Sequence, residues 1–383
     1  MASMSSMDLS SRHDLHAEWV SLASPTGWPQ EGWGSNPTQG IYYSPASGRP
    51  QVAFIATHYN LDFSEHYLAP LMAARGFGFL GWNTRFRGAE ALFLVDHAVA
   101  EIGAGVRWLK SVAGVETVVL LGNSGGGSLM ATYQGQAEHQ SLVPVEGGRL
   151  CRGLDDLVSG DLYVSLAAHP GRADLLAFMM DPSVTDERDP ISRDAGLDMY
   201  SPDNGPPYSE EFRTRYREAQ LARSARITSW VKEELARLRA VNVRDRYFSP
   251  PRLWADLRFM DGSIDPSNRK VPACFLGDPQ RANEGVTGIG QVSTLRTWLS
   301  MWSLTDSQCQ GQLHLPNITM PSLVIGADGD TGCFPSHTQQ IFDLIGSEDK
   351  ESMTLEGDHY FRGDGNRERV ADVIAAWVEK RTA

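Results

Sequence analysis

Short apolar runs alternate with helical patterns through the first half of the chain. This alternation is typical of a parallel sheet whose strands are joined by helices. The apolar runs predict buried strands at residues 51–57, 77–82, 118–121 and 161–168. Apolar residues at helical spacing predict helices at residues 63–75, 92–109 and 128–133. The sequence therefore predicts an α/β fold.

The alternation stops at about residue 172 and resumes near residue 316. Proline-rich stretches and aromatic residues fill the interval, together with one long charged helix predicted at 209–241. Beyond it, strands are predicted at 321–327 and 351–356, followed by a helix at 367–379. The pattern divides the chain into residues 1–171, an interruption at 172–315, and residues 316–383.

Composition sets limits on the partners. The 383 residues are 41% hydrophobic and 21% charged, which is ordinary for a globular protein. A net charge of −13 repels phosphate backbones and anionic lipids, so neither nucleic acid nor membrane is expected as a partner. Residues 1–8 have no basic or apolar signal-peptide pattern, and no run approaches the roughly 20 apolar residues of a membrane span. We expect a cytoplasmic protein, and a homo-oligomer is compatible with the sequence.

The four cysteines are scattered along the chain, with no C-x-x-C pair and no histidine at metal-binding spacing. They are Cys151, Cys274, Cys309 and Cys333. This pattern predicts reduced thiols and neither a disulfide nor a structural metal site.

A Gly-x-Ser-x-Gly motif follows the predicted strand at 118–121 and precedes the predicted helix at 128–133. A nucleophilic serine needs a sharp, strained turn at this place, so that its hydroxyl projects from the sheet edge. Gly122 and Gly126 lack the Cβ atoms that would clash across the turn. The motif therefore indicates Ser124 as a nucleophile.

A serine hydroxyl needs a general base, and the base needs an acid to orient it. His359 follows the predicted strand at 351–356, while Asp328 and Asp330 follow the one at 321–327. The chain order is then Ser, Asp, His, with each residue placed after a strand.

This arrangement resembles the α/β-hydrolase family over roughly residues 40–170 and 316–383. The resemblance implies a mostly parallel sheet flanked by helices, with an inserted, mainly helical cap at 172–315. It also implies Ser124 as nucleophile, His359 as base, and one aspartate as acid. Spacing favours Asp330, with Asp328 as the alternative that would brace the turn.

The resemblance also implies an oxyanion hole built from backbone N–H groups. One donor would be Gly125. The second would come from Tyr59 or Asn60, because this chain has His58-Tyr59-Asn60 where relatives often have His-Gly-x.

A further loop, residues 83–88, holds Arg85 and Arg87 where relatives often have Asp-x-Arg-Gly. We interpret both as structural ion-pair partners, with a contact to a substrate carboxylate as the alternative.

These features predict hydrolysis of a carboxylic ester or lactone through an acyl-enzyme, with no cofactor and no metal. Large apolar residues in 172–315 predict a fairly apolar or aromatic small-molecule substrate. Serine at the elbow disfavours haloalkane dehalogenases and epoxide hydrolases, which use aspartate there. Three alternatives remain open: an amidase, a hydrolase of carbon–carbon bonds, and a small-molecule receptor on a hydrolase scaffold.

Overall fold

The computed structural model describes residues 15–26, 37–146 and 148–382. Residues 1–14, on which the expectation about a signal peptide rests, lie outside the described residues. The strands are β1 Leu15–Ala23, β2 Pro37–Pro45, β3 Val52–Ala56, β4 Gly78–Asn83, β5 Thr117–Asn123, β6 Leu162–Leu166, β7 Tyr247–Phe248, β8 Ser293–Thr294, β9 Ser322–Ala327 and β10 Lys350–Leu355. The helices are α1 Ala69–Ala73, α2 Val95–Trp108, α3 Gly126–Glu138, α4 Arg172–Met179, α5 Glu210–Arg239, α6 Pro279–Glu284, α7 Leu295–Thr297, α8 Gly311–His314, α9 Pro335–Leu344 and α10 Asn366–Thr382.

Within the described residues, eight strands form one sheet in the order β1-β2-β4-β3-β5-β6-β9-β10. The six strands from β4 to β10 run parallel, while β2 pairs antiparallel with β1 and with β4. Parallel strands point their carboxyl ends to one edge, so the loops after β3, β5, β6, β9 and β10 share that edge. The site is built there.

Strand β5 shows how both faces of the sheet are buried. Val118 and Leu120 point into one hydrophobic cluster, which includes residues of α2, α3 and α5. Val119 and Leu121 point into a second cluster on the other face, with residues of α1 and α10. Because successive side chains of a strand alternate between faces, a continuous apolar run fills both cores. This explains why the run predicts a strand at the centre of the sheet.

The helix predicted at 63–75 is wrong for most of its length, since only α1 is helical there. Pro70 occupies the first turn of α1, where the fixed φ of proline suits a helix start. The preceding residues are held in turns instead: the Phe63 N–H donates to Asn83 Oδ1 at 2.8 Å. Tertiary anchoring to β4 overrides the helical spacing.

Residues 172–315, which we call the insertion, lie between β6 and β9. Their main element is α5, whose observed bounds agree with the helix predicted at 209–241. Ser209 caps it by accepting the Phe212 N–H at 3.1 Å, and two glutamates in the first turn suit the helix dipole. The other helices are short and joined by irregular segments.

Several large aromatic residues of the insertion are buried in hydrophobic clusters that include residues outside it. Trp298 and Trp302 are fully buried in the main core, while Trp254 and Phe259 form a separate cluster with Phe334. Trp230 is partly exposed on α5. In the part of the chain that the structure describes, no helix has both the length and the apolar character to cross a membrane.

Candidate active site

Ser124 stands on the turn between β5 and α3 with a φ of 56°, in the left-handed region that residues other than glycine rarely adopt. Its N–H donates to Leu166 O on the neighbouring β6 at 3.1 Å, which fixes the turn to the sheet. A Cβ at Gly122 would lie 2.5 Å from Gly127 Cα, and one at Gly126 would lie 2.3 Å from Thr57 O. The motif glycines are therefore required by space.

The structure brings Ser124, His359 and Asp330 together. His359 Nδ1 lies 2.7 Å from Asp330 Oδ2, and His359 Nε2 lies 3.0 Å from Ser124 Oγ. A carboxylate can only accept hydrogen bonds, so Nδ1–H of the neutral imidazole donates to Asp330. Nε2 is then free to accept the hydroxyl proton of Ser124. Ser124 remains half-buried, while His359 and Asp330 are buried.

The two candidate acids occupy one turn but have different partners. Asp330 Oδ1 accepts the N–H groups of Gly332 at 2.8 Å and Cys333 at 3.0 Å, which aims Oδ2 at His359. Asp328 Oδ1 accepts the Gly357 N–H at 3.0 Å, and its Oδ2 accepts the Asn268 side-chain amide at 2.7 Å. The geometry places Asp330 against the histidine and uses Asp328 to tie together the turn, the loop after β10 and the insertion.

The backbone N–H groups expected to form an oxyanion hole differ in whether they face an acceptor in the protein. Asn60 N–H lies 3.4 Å from His58 Nδ1, so it already faces an acceptor. Among the described residues, the amides of Gly125 and Tyr59 meet no protein acceptor. The Tyr59 side chain is buried, with its hydroxyl 3.0 Å from Ser128 Oγ. The free amides are thus those of Gly125 and Tyr59.

Arg85 and Arg87 both have protein carboxylates as partners. Arg85 Nε lies 2.6 Å from the fully buried Glu101, and Arg87 Nη1 lies 2.8 Å from Asp62 at the surface. These contacts agree with the interpretation of both as ion-pair partners.

Two further residues lie at the site: Arg172, which the sequence did not indicate, and Phe275, which it indicated only as one of many large apolar residues in 172–315. The ring of Phe275, from the insertion, lies 4.3 Å from the ring of His359, centroid to centroid. Arg172 at the start of α4 is 3% exposed and lies beside Gly125 and Tyr59. Its place shortly after β6, at the ligand-binding edge of the sheet, is a signal that could have found it. Nothing in the local sequence marks Phe275.

In the described part of the chain, two groups of three residues bring metal-ligand atoms together: Asp330, Cys333 and His359, and Asp96, His97 and Cys151. In the first, the Asp330 and His359 atoms already bind each other. Burial and the neighbouring Asp330 raise the pKa of the Cys333 thiol, and burial and Asp96 raise that of Cys151. Because thiolates are the metal-binding form, both groups fit a metal poorly.

The sequence matches no known family model and no curated protein. Solved structures are similar over nearly the whole chain. The structure of DcsB in complex with its substrate analogue covers 95% of this chain and 99% of its own, at 11% identity and a TM-score of 0.51. The esterase domain of a Rhodothermus marinus protein covers 95% and 98%, at 11% identity and a TM-score of 0.48. A dienelactone hydrolase from Anabaena variabilis covers 96% and 99%, at 10% identity and a TM-score of 0.43.

At such identities the similarity is one of fold. With the strand order of the sheet and the serine turn after β5, it gives the chain the α/β-hydrolase fold. The predicted fold class is confirmed.

Proposed function

We propose that the protein hydrolyses a carboxylic ester or lactone of a small molecule through an acyl-enzyme on Ser124. One observation carries this proposal: the continuous Ser124–His359–Asp330 hydrogen-bond chain, with distances of 3.0 and 2.7 Å. A mere structural histidine has no need to join a strained serine to a buried carboxylate.

The first half-reaction follows from these contacts. Ser124 Oγ attacks the substrate carbonyl while its proton passes to His359 Nε2, and Asp330 stabilises the imidazolium through Nδ1–H. The carbonyl oxygen becomes an oxyanion beside the amides of Gly125 and Tyr59, at the N-terminus of α3. His359 then gives its proton to the leaving alkoxide, which departs as the alcohol and leaves an ester on Ser124.

The second half-reaction regenerates the enzyme. His359 takes a proton from water, whose oxygen attacks the acyl carbon. The second tetrahedral intermediate collapses, Ser124 Oγ recovers the proton from His359, and the acid leaves. The triad gives back every proton that it takes up, so water is the sole co-reactant that the proposed mechanism requires.

We propose that the insertion acts as the cap over this chemistry. Phe275 lies against His359, and Arg172 at its first residue lies beside Gly125. The apolar or aromatic substrate expected from the sequence would meet Phe275, while most other aromatic residues of the insertion are used in packing.

The test is hydrolysis of p-nitrophenyl esters from acetate to decanoate, together with labelling by a fluorophosphonate. Ser124→Ala should lower kcat by at least about 10³-fold and abolish labelling. Ser111→Ala, which alters an exposed serine before β5, at the end of that strand opposite to the elbow, is the matched control.

Labelling that persists in Ser124→Ala would overturn the proposal. Labelling of Ser124 without turnover of any ester would indicate that the enzyme cleaves an amide or a carbon–carbon bond instead. A folded protein with neither labelling nor ester turnover would favour a receptor.

A further inference from the structure

Three buried polar side chains lie beside the serine turn and take no part in the proposed triad. His58 follows β3, His169 follows β6, and Arg172 begins α4. They are 5%, 2% and 3% exposed, respectively. A Cβ at Gly125 would lie 2.8 Å from His58 Nε2 and 3.2 Å from Arg172 Nε, so both groups border the residue next to the nucleophile. We call these three residues the arginine cluster.

Arg172 has few protein partners for a buried guanidinium. Its Nη2 lies 3.4 Å from Asn60 Oδ1 and 3.8 Å from Glu90 Oε1. Among the described residues, its Nε has no acceptor. A guanidinium offers five N–H donors, and burying its charge is costly unless those donors are hydrogen-bonded. The Tyr59 ring, 4.8 Å from Arg172 Cζ, adds a cation–π contact. Arg172 is therefore left with unused donors.

Two other buried arginines show what full pairing looks like in this protein. Arg223 donates to both carboxylate oxygens of Glu187 at 2.8 and 2.6 Å. Arg258 reaches Asp256 through both Nε and Nη2, the latter at 2.6 Å. Arg172, beside the proposed nucleophile, has no such bidentate carboxylate within residues 15–26, 37–146 and 148–382.

Glu90 does not supply the missing partner. Its Oε2 accepts the Gly290 N–H at 3.0 Å, and its Oε1 meets no donor within hydrogen-bond distance among the described residues. At 3.8 Å from Arg172 Nη2, Glu90 Oε1 is a nearby charge that does not accept a hydrogen bond from the guanidinium.

The two histidines add neutral donors. His58 Nδ1 faces the N–H groups of Asn60 and Leu61, so its own proton is on Nε2, the atom that borders Gly125. Both nitrogens of His169 lack a protein partner among the described residues. Burial, with Arg172 nearby, holds the pKa of both histidines well below the usual value, so they stay uncharged and offer N–H groups.

We infer that the arginine cluster binds a carboxylate of the substrate, so that the ester or lactone carries an acidic group a few bonds from the scissile carbonyl. Carboxylate oxygens match the planar fork of a guanidinium, and a permanent anion would occupy donors that the protein leaves free. This inference rests on the proposed function and narrows its substrate class. It assigns Arg172 as a specificity residue.

The test compares two esters of equal length that differ in one terminal group: mono-p-nitrophenyl glutarate and p-nitrophenyl valerate. After subtraction of uncatalysed hydrolysis, kcat/KM for the glutarate should exceed that for the valerate by about 10-fold or more. In Arg172→Met, this glutarate-to-valerate ratio should fall by at least about 10-fold. An unchanged ratio would overturn the inference, even if both rates fell.

Because Arg172→Met removes a buried charge and can fail to fold, Glu90→Gln provides a second test. It deletes the nearby negative charge while an amide oxygen remains for the Gly290 N–H. The ratio should rise by about 3-fold or more, and a ratio that stays the same or falls would overturn the inference.

Binding separates failure of this inference from failure of the proposed function. The mono-p-nitroanilide of glutaric acid is titrated calorimetrically into two proteins: the Ser124→Ala variant and the Ser124→Ala, Arg172→Met double variant. A Kd at least about 10-fold weaker without Arg172 supports the subsite even if no ester is hydrolysed. Equal Kd values would overturn the inference whatever Ser124 does.

Discussion

The sheet and the insertion hold their polar residues in different ways. Ser124, Asp330 and His359 sit in short loops at the ends of strands, fixed largely by backbone groups such as the Gly332 and Cys333 amides. The insertion instead contains buried pairs between distant side chains, such as Arg252 with Asp181 at 2.7 Å. The difference teaches that the candidate triad is held by short turns at strand ends, whereas the insertion also needs buried ion pairs that join separate segments of the chain, such as Arg252–Asp181.

Asp330 and Asp328 share one turn of the sheet region but should differ in their effect on activity. Asp330→Asn should lower kcat by about 10³- to 10⁴-fold, because the amide no longer holds His359 in the required tautomer. Asp328→Asn should cost less than about 10-fold, since Asp328 binds Gly357 and Asn268 rather than the imidazole. Steady-state kinetics on a p-nitrophenyl ester measures both, and the reverse order would make Asp328 the acid.

A substitution in the insertion should act on stability instead. Asp181 is fully buried and accepts hydrogen bonds from Arg252, Asn283 and the Ser183 amide. Asp181→Ala should lower the free energy of unfolding by about 3–5 kcal/mol, because a buried guanidinium loses its counter-charge. Urea denaturation provides the measurement.

Asp372→Ala is the matched control for Asp181→Ala. Asp372 pairs with Arg75 at the surface, where its side chain is 70% exposed, so the loss should stay below about 1 kcal/mol. Equal losses at the two sites would contradict the idea that the insertion depends on its buried pairs.

Low pH should reduce the free energy of unfolding, because a histidine buried in the sheet region is harder to protonate when the protein is folded. Burial lowers the pKa of His66 to about 4, and its Nε2 lies 3.1 Å from Oδ1 of Asn123, the residue before Ser124. Between pH 6.5 and about 4 the unfolded chain binds a proton that the folded protein does not, so stability falls as pH falls. His66 alone should contribute a loss of about 3 kcal/mol by pH 4.

Urea denaturation between pH 7.5 and 4.5 measures this loss. In His66→Gln the slope of the free energy of unfolding against pH should be smaller, by an amount that corresponds to up to about one proton bound on unfolding. An identical dependence in the two proteins would show that His66 does not carry the effect.

The smallest effect is expected where the two regions meet. Phe275→Ala removes the ring that lies against His359, so kcat/KM should fall by about 3- to 10-fold through looser positioning of the imidazole. Phe248→Ala, which removes a ring packed between Trp230 and Trp298, is the control for lost aromatic packing in the insertion. A larger fall in kcat/KM for Phe248→Ala would contradict the assigned contact.

The sequence predicted what depends on local pattern. The central strands, α5 and α10 follow from apolar spacing, and Ser124, His359 and the aspartate pair follow from their positions after strands. Spacing favoured Asp330 but could not decide against Asp328, because both share one turn and only their partners distinguish them. Strands β1 and β2 were not predicted: β1 pairs on one side only and is largely exposed, which blurs its pattern.

Arg172 and Phe275 lay beyond the sequence for a different reason. Each matters through a contact made across a long stretch of chain, Arg172 with the Gly125 region and Phe275 with His359. Arg85 and Arg87, which a family pattern brought to attention, pair with protein carboxylates. A local motif can indicate Ser124, whereas the contacts of Arg172 and Phe275 become visible only in the folded arrangement.

Gly332, in the turn that holds Asp330, is a position for redesign. A Cβ at Gly332 would lie 1.9 Å from Phe275 Cζ, so the smallest possible side chain there must displace the aromatic ring and the loop that carries it. Gly332→Ala thus acts where the loop after β9 contacts the insertion. To make room for bulkier acyl groups, Gly332→Ala is the first substitution to try, because it moves Phe275 without altering Ser124, Asp330 or His359.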